Sequence, residues 1–157
     1  MISFTFSNRL SARLVRARAA TLDFTPATRA IADYLRTSTV ERFEDEAGPD
    51  GRPWQPSQRA IDEGGLTLTD RGQLRQSITA AHDASRALAG TNLAYAAIHQ
   101  FGGKISARPG GALRTPAGPR ASVTMPARPF LGFSPGDVTE IEFLLNDHVA
   151  RGFGEAA

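Results

Sequence analysis

Two stretches bracketed by glycine and proline constrain this chain most. Residues 95–103 read YAAIHQFGG and residues 125–132 read MPARPFLG. Each sets apolar anchors beside backbone breakers, Gly102-Gly103 in the first and Pro126 and Pro129 in the second. Regular structure must stop within both. The residues between them, 104–124, are rich in Gly, Pro and Arg. They are too irregular for a core element and too basic for a neutral spacer. A flexible basic loop over 103–122, mobile or extended, is the expectation.

The rest of the chain supplies the core. At 157 residues and 41% hydrophobic content it is long and apolar enough for one packed domain. Ile2, Phe4 and Phe6 alternate with polar residues, which predicts a short strand. Ser7 or Asn8 can cap a following helix with Leu10, Leu14 and Ala17 on one face and Arg9, Arg13 and Arg16 in an adjacent sector. Thr25-Pro26 is a helix start, and that helix should run to about residue 47, where Gly48-Pro49 stops it. Its inward face is Ala27, Ile31, Tyr34, Leu35 and Ser38, with Val40 nearly opposite and Phe43 on a flank. Asp50-Gly51 marks a turn, and Trp54, set between prolines, should plug the edge of a core or an interface. A short helix carries Leu74 and Ile78.

Residues 78–81 and 86–90 can pair as a hairpin. Ala94, Tyr95, Ile98 and Phe101 then make a compact apolar helix face, and 121–125 reads as a strand. Ser134-Pro135 opens a last helix whose buried face is Val138, Ile141, Leu145 and Val149, with Phe143 well off it. The expected fold is α+β. It is a small single domain over 1–151, with a short antiparallel sheet packed against about three to five helices, a long basic loop and a frayed tail at 152–157.

Charge is segregated, although the net charge is only +2. Residues 102–128 carry Lys104, Arg108, Arg114, Arg120 and Arg128 and no acid, whereas 133–157 is predominantly acidic. Opposite patches can attract copies of one chain, or they can neutralise each other within it. The chain has no Cys, which excludes disulfides, thiolate catalysis and zinc–thiolate sites. His82, His99 and His148 share no metal-ligand spacing. Glu41, Glu44, Asp45 and Glu46 lack a matching base and read as an acidic solvated face. No nucleophile elbow or phosphate loop is present. No catalytic, metal or cofactor residue is therefore expected, and no run approaches the roughly 18 apolar residues of a membrane span.

Several pieces occur in a telling order: Arg42-Phe43 with Glu46; Pro49-Asp50-Gly51-Arg52-Pro53-Trp54; Thr69-Asp70 and then Gly72-Gln73-Leu74-Arg75-Gln76-Ser77-Ile78; Gly90-Thr91-Asn92; Tyr95-Ala96-Ala97-Ile98-His99-Gln100-Phe101-Gly102; and Pro126-Ala127-Arg128-Pro129-Phe130-Leu131-Gly132. Singly each is weak. The ordered set, covering most of 30–150, resembles the Mu gpG-like phage virion morphogenesis proteins, related to the P2-type tail completion proteins. Residues 57–65 depart from the family pattern, being short and without lysine.

The resemblance implies a non-enzymatic structural protein of a phage or prophage. It would act as a neck protein or tail terminator, in tail completion or head–tail joining. Such proteins are expected to form homo-oligomeric rings, commonly sixfold, at the head–tail junction or head-proximal tail end of the virion, after assembly in the host cytoplasm. Implied partners are its own copies and neck, connector or tail tube proteins, with non-specific contact to DNA passing through the lumen and no membrane. Structural or assembly positions would be Phe43, Trp54, Tyr95, His99, Phe101, Gly102, Arg128, Phe130 and Gly132. Phe101 and Phe130 would be anchors, and Gly102 and Gly132 would permit backbone turns. Candidate DNA or partner contacts are Arg9, Arg13, Arg16, Lys104, Arg108, Arg114 and Arg120. The alternative is a sequence-independent nucleic-acid-binding module built on the arginine-rich helix and loop.

Overall fold

The structure, a computed structural model, describes residues 15, 18, 19, 23–115 and 118–153. The strand expected at 2–6 and the stripe of Arg9, Arg13 and Arg16 lie outside the described residues, as do 154–157. The elements in order are α1 (Thr25–Asp45), α2 (Gln58–Glu63), α3 (Gln73–Gln76), β1 (Thr79–His82), β2 (Ala87–Gly90), α4 (Ala96–Phe101), β3 (Gly103–Ser106), β4 (Leu113–Thr115), β5 (Gly118–Arg120), β6 (Ser122–Met125) and α5 (Pro135–Phe153). The fold is α+β. In place of one short sheet there are three separate two-stranded pairs, β1-β2, β3-β6 and β4-β5. Strands of three or four residues broken by glycine and proline offer too short a ladder to recruit further neighbours.

The described chain falls into two compact units. One takes residues up to Thr37, with Ala80–Ala89 and the chain from Pro135; the other takes Ser38–Thr79 and Gly90–Ser134. In the first unit α1 begins where the Asp23 carboxylate accepts the Thr25 N–H at 2.9 Å. The cap is thus two residues upstream of Thr25. Ala27, Ile31, Ala32 and Leu35 are buried. Thr28 Oγ1 donates to the Asp83 carbonyl at 2.6 Å, tying α1 to the hairpin loop. Tyr34 donates to the buried Asp137 carboxylate at 3.1 Å, joining α1 to the first turn of α5. Two expectations for α5 fail here. Val138 is 47% exposed, because Asp137 takes the buried position beside it, and the helix continues through Gly152 to Phe153.

The second unit is centred on Phe43 and Phe130, both fully buried, with Trp54, Leu74, Ile78 and Ala96. Phe43 meets the ring of Trp54 edge-on at 5.6 Å and Phe130 at 5.3 Å. It is the centre of this core, not a flank residue. The two ends of α1 pack in different units, so a face read from Ile31 does not carry on to Phe43. The helix also ends earlier than Gly48. Glu46 takes φ 51°, its side chain accepts the Thr67 N–H, and its carbonyl accepts the Trp54 N–H at 2.7 Å. The Thr67 hydrogen bond holds the Glu46 carboxyl below its ordinary range.

Residues 103–125 are not an irregular loop. β3 and β6 pair antiparallel, Gly103 with Met125, Lys104 with Thr124, Ile105 with Val123 and Ser106 with Ser122. Beyond them β4 and β5 form a second antiparallel pair, Leu113 opposite Arg120 and Thr115 opposite Gly118. Glycine and proline interrupt this arm without preventing it. Pro109, Gly110 and Gly111 fall between its two ladders, with φ 76° at Gly110, whereas Gly103, Gly118 and Pro119 take ladder positions.

Candidate assembly surface

Residues 126–132 have no regular secondary structure, so their backbone polar groups need partners from elsewhere. Side chains supply most of them. Arg42, buried on α1, donates to the Phe130 carbonyl at 2.8 Å and the Gly132 carbonyl at 3.0 Å. Gln100 on α4 donates to the Leu131 carbonyl at 2.8 Å, and its own oxygen accepts the N–H groups of Phe130 and Leu131, both at 3.0 Å. Trp54 Nε1 donates to the Pro129 carbonyl at 2.9 Å. The Arg128 N–H reaches the His99 carbonyl at 2.7 Å. Arg128 Nε donates to the Gln55 carbonyl at 2.7 Å. This clip holds Phe130 in the core.

Two glycines make close approach possible. Gly102, with φ 68°, runs against the clip so closely that a Cβ there would lie 2.7 Å from the Ala127 nitrogen and 2.9 Å from the Met125 carbonyl. A Cβ on Gly132 would lie 2.7 Å from the Pro49 ring. The sequence positions Phe43, Trp54, His99, Gly102, Arg128, Phe130 and Gly132 are thus brought together in one unit. Phe101 and Tyr95 differ. Phe101 is 78% exposed and is no core anchor in the described chain, because α4 turns Ala96 inward instead. Tyr95 is also exposed, edge-on to His99 at 6.0 Å. Arg42 and Gln100, the two principal clamps, were legible only as members of motifs. No local pattern marks either, since each sits within a helix and its target carbonyls lie far along the chain.

Lys104, Arg108, Arg114 and Arg120 all lie on the arm and are exposed. The arm walls an open, mostly apolar groove of about 620 Å³, with Ile105, Leu113 and Val123 in its lining beside Arg114 and Arg120. A second cleft, of about 360 Å³, is lined by Arg59, Arg71, Tyr95, His99 and Arg128 among others. Burial, and then the neighbouring Arg128 charge, push the His99 imidazole below its ordinary pKa, and its Nδ1 is buried without a partner among the described residues. The cleft lining also includes Asp70, and no cluster of His, Asp and Glu among the described residues can hold a metal ion. Two of the four acids at 41–46 are engaged elsewhere: Glu44 pairs with Arg75, and Glu46, just past α1, takes the Thr67 N–H.

A clip locked by motif residues thus carries an exposed basic arm. Comparison with known proteins gives the family. The pattern of the phage virion morphogenesis family matches residues 7–150. The chain belongs to that family. It is 34% identical over 143 residues to the Mu-like prophage FluMu G protein 2 of Haemophilus influenzae, covering 90% of this chain and 91% of that protein. It is 36% identical over 122 residues to the putative capsid assembly protein G of Escherichia phage Mu, covering 72% of this chain and 71% of that one. No solved structure matches it significantly. Membership carries a structural assembly role in a phage or prophage and association with the virion. Among the described residues no helix is long and apolar enough to cross a membrane.

Proposed function

We propose that this virion morphogenesis protein completes the tail or joins tail to head, as a ring at the head-proximal end of the tail, without enzymatic activity. The observation that supports this most is the division of labour among the family motifs. Tryptophan, clip and glycine motifs are spent on fixing one rigid unit, while the basic arm projects exposed side chains with no acid among them. A rigid body with an unneutralised arm suits contact with its own copies and with neck, connector or tail tube proteins. Arginines facing a lumen would also touch passing DNA without sequence preference.

The test replaces Arg108, Arg114 and Arg120 together with Ala. Exposed substitutions change stability by no more than about 0.5 kcal/mol each, so the variant should fold. Particles assembled with it should show full heads and finished tails that remain unjoined. A folded triple variant that still builds joined particles would contradict the proposal. So would tight, sequence-selective DNA binding at physiological salt, which belongs to a nucleic-acid-binding module.

A further inference from the structure

The groove beside β3–β6 and the outer face of α5 are complementary in chemistry. The groove offers Ile105, Leu113 and Val123 as apolar surface, with Arg114 and Arg120 among its lining residues and no acid anywhere in 102–128. The outer face of α5 offers the reverse pattern. Val138 and Glu142 are one turn apart, and Thr139 and Phe143 form the adjacent turn pair; all four are exposed. Phe143 is 59% exposed although it is a large aromatic side chain on a nineteen-residue helix. An aromatic and a valine flanking a carboxylate would fill an apolar groove whose rim carries guanidinium groups, which hold carboxylates in a directed fork. Residues 133–157 are predominantly acidic, so the attraction extends beyond Glu142.

We infer that the groove of one copy receives the Val138–Glu142–Phe143 face of α5 from a second copy. The two surfaces differ, so the contact is head-to-tail, the kind that closes into a ring when the rotation allows. This inference rests on the ring reading above and names the surfaces that would form it.

The chain has no cysteine, so introduced thiols report cleanly. Val123→Cys and Phe143→Cys proteins are purified separately, mixed, and treated with a short bis-maleimide. Leu88→Cys, at an exposed position on β2, replaces Phe143→Cys in the control. The mixed pair should link about tenfold faster than the control, and Arg114→Glu with Arg120→Glu should remove that advantage. Adding Glu142→Arg on the opposite partner should restore it. Linking no faster than the control overturns the inference. So does loss of linking when mixed-sequence duplex DNA is added at physiological salt, since the groove would then be a phosphate seat. Sedimentation of the untreated protein separates the two claims. Oligomers without selective linking leave the ring reading standing and sink this contact; monomers at every concentration, without linking, sink both. A linked chain of copies that does not close supports the contact and contradicts the ring.

Discussion

Phe130 and Phe101 sit in neighbouring family motifs and have opposite environments, fully buried and 78% exposed. Phe130→Ala removes a ring packed against Phe43 and should cost roughly 3–5 kcal/mol, a large share of the stability of a domain of this size. Phe101→Ala should shift thermal unfolding little and instead lower the yield of assembled particles. Equal losses of melting temperature would contradict the division between core and surface. Arg42→Ala should cost roughly 1–3 kcal/mol, because the buried carbonyl of Phe130 loses its donor. His99 makes the fold sensitive to pH. Its folded pKa lies below the ordinary 6.5, so the unfolded chain binds its proton first as pH falls. Its contribution is complete above about 6.5 and is lost as pH falls through the lower folded value. Thermal unfolding on both sides of this window should show a drop that His99→Gln reduces; an unchanged drop assigns the effect to other groups.

At the scale of elements, the arm is built from two short ladders. β3–β6 is a ladder of four residue pairs and β4–β5 one of three, each two strands wide. Two-stranded ribbons are marginal alone, so amide exchange should be fast in β4–β5, slower in β3–β6, and slowest in α1. Protection of β4–β5 equal to α1 in the free protein would mean that the arm needs no neighbour. Assembly into particles should slow exchange across 104–122. The hairpin β1–β2, helix α1 and strand β6 were legible because caps, turns and alternation act locally. The arm was not legible as strands. Its ladders are set by pairing Ile105 with Val123 across a long insertion rich in glycine and proline, and no local pattern encodes that partner. Phe43 was misplaced for a related reason: helical periodicity gives a face for a helix with one partner, and the two ends of α1 serve different units. Exposure of Val138 and Phe101 was hidden because an exposed apolar residue looks like a core residue in sequence.

For the whole molecule, a folded clip carries an exposed arm whose proposed role is assembly, and the triple arginine variant is expected to leave melting unchanged while joining fails. The central claim concerns place. One relative's name refers to the capsid, whereas the proposed place of this protein is the head-proximal end of the tail. Cryo-electron microscopy of completed virions, with the chain carrying an affinity label at its C-terminus, decides between them. The account predicts label confined to a closed ring of density, commonly sixfold, where tail meets head. Label distributed over the head shell, or absent from finished particles, would contradict it.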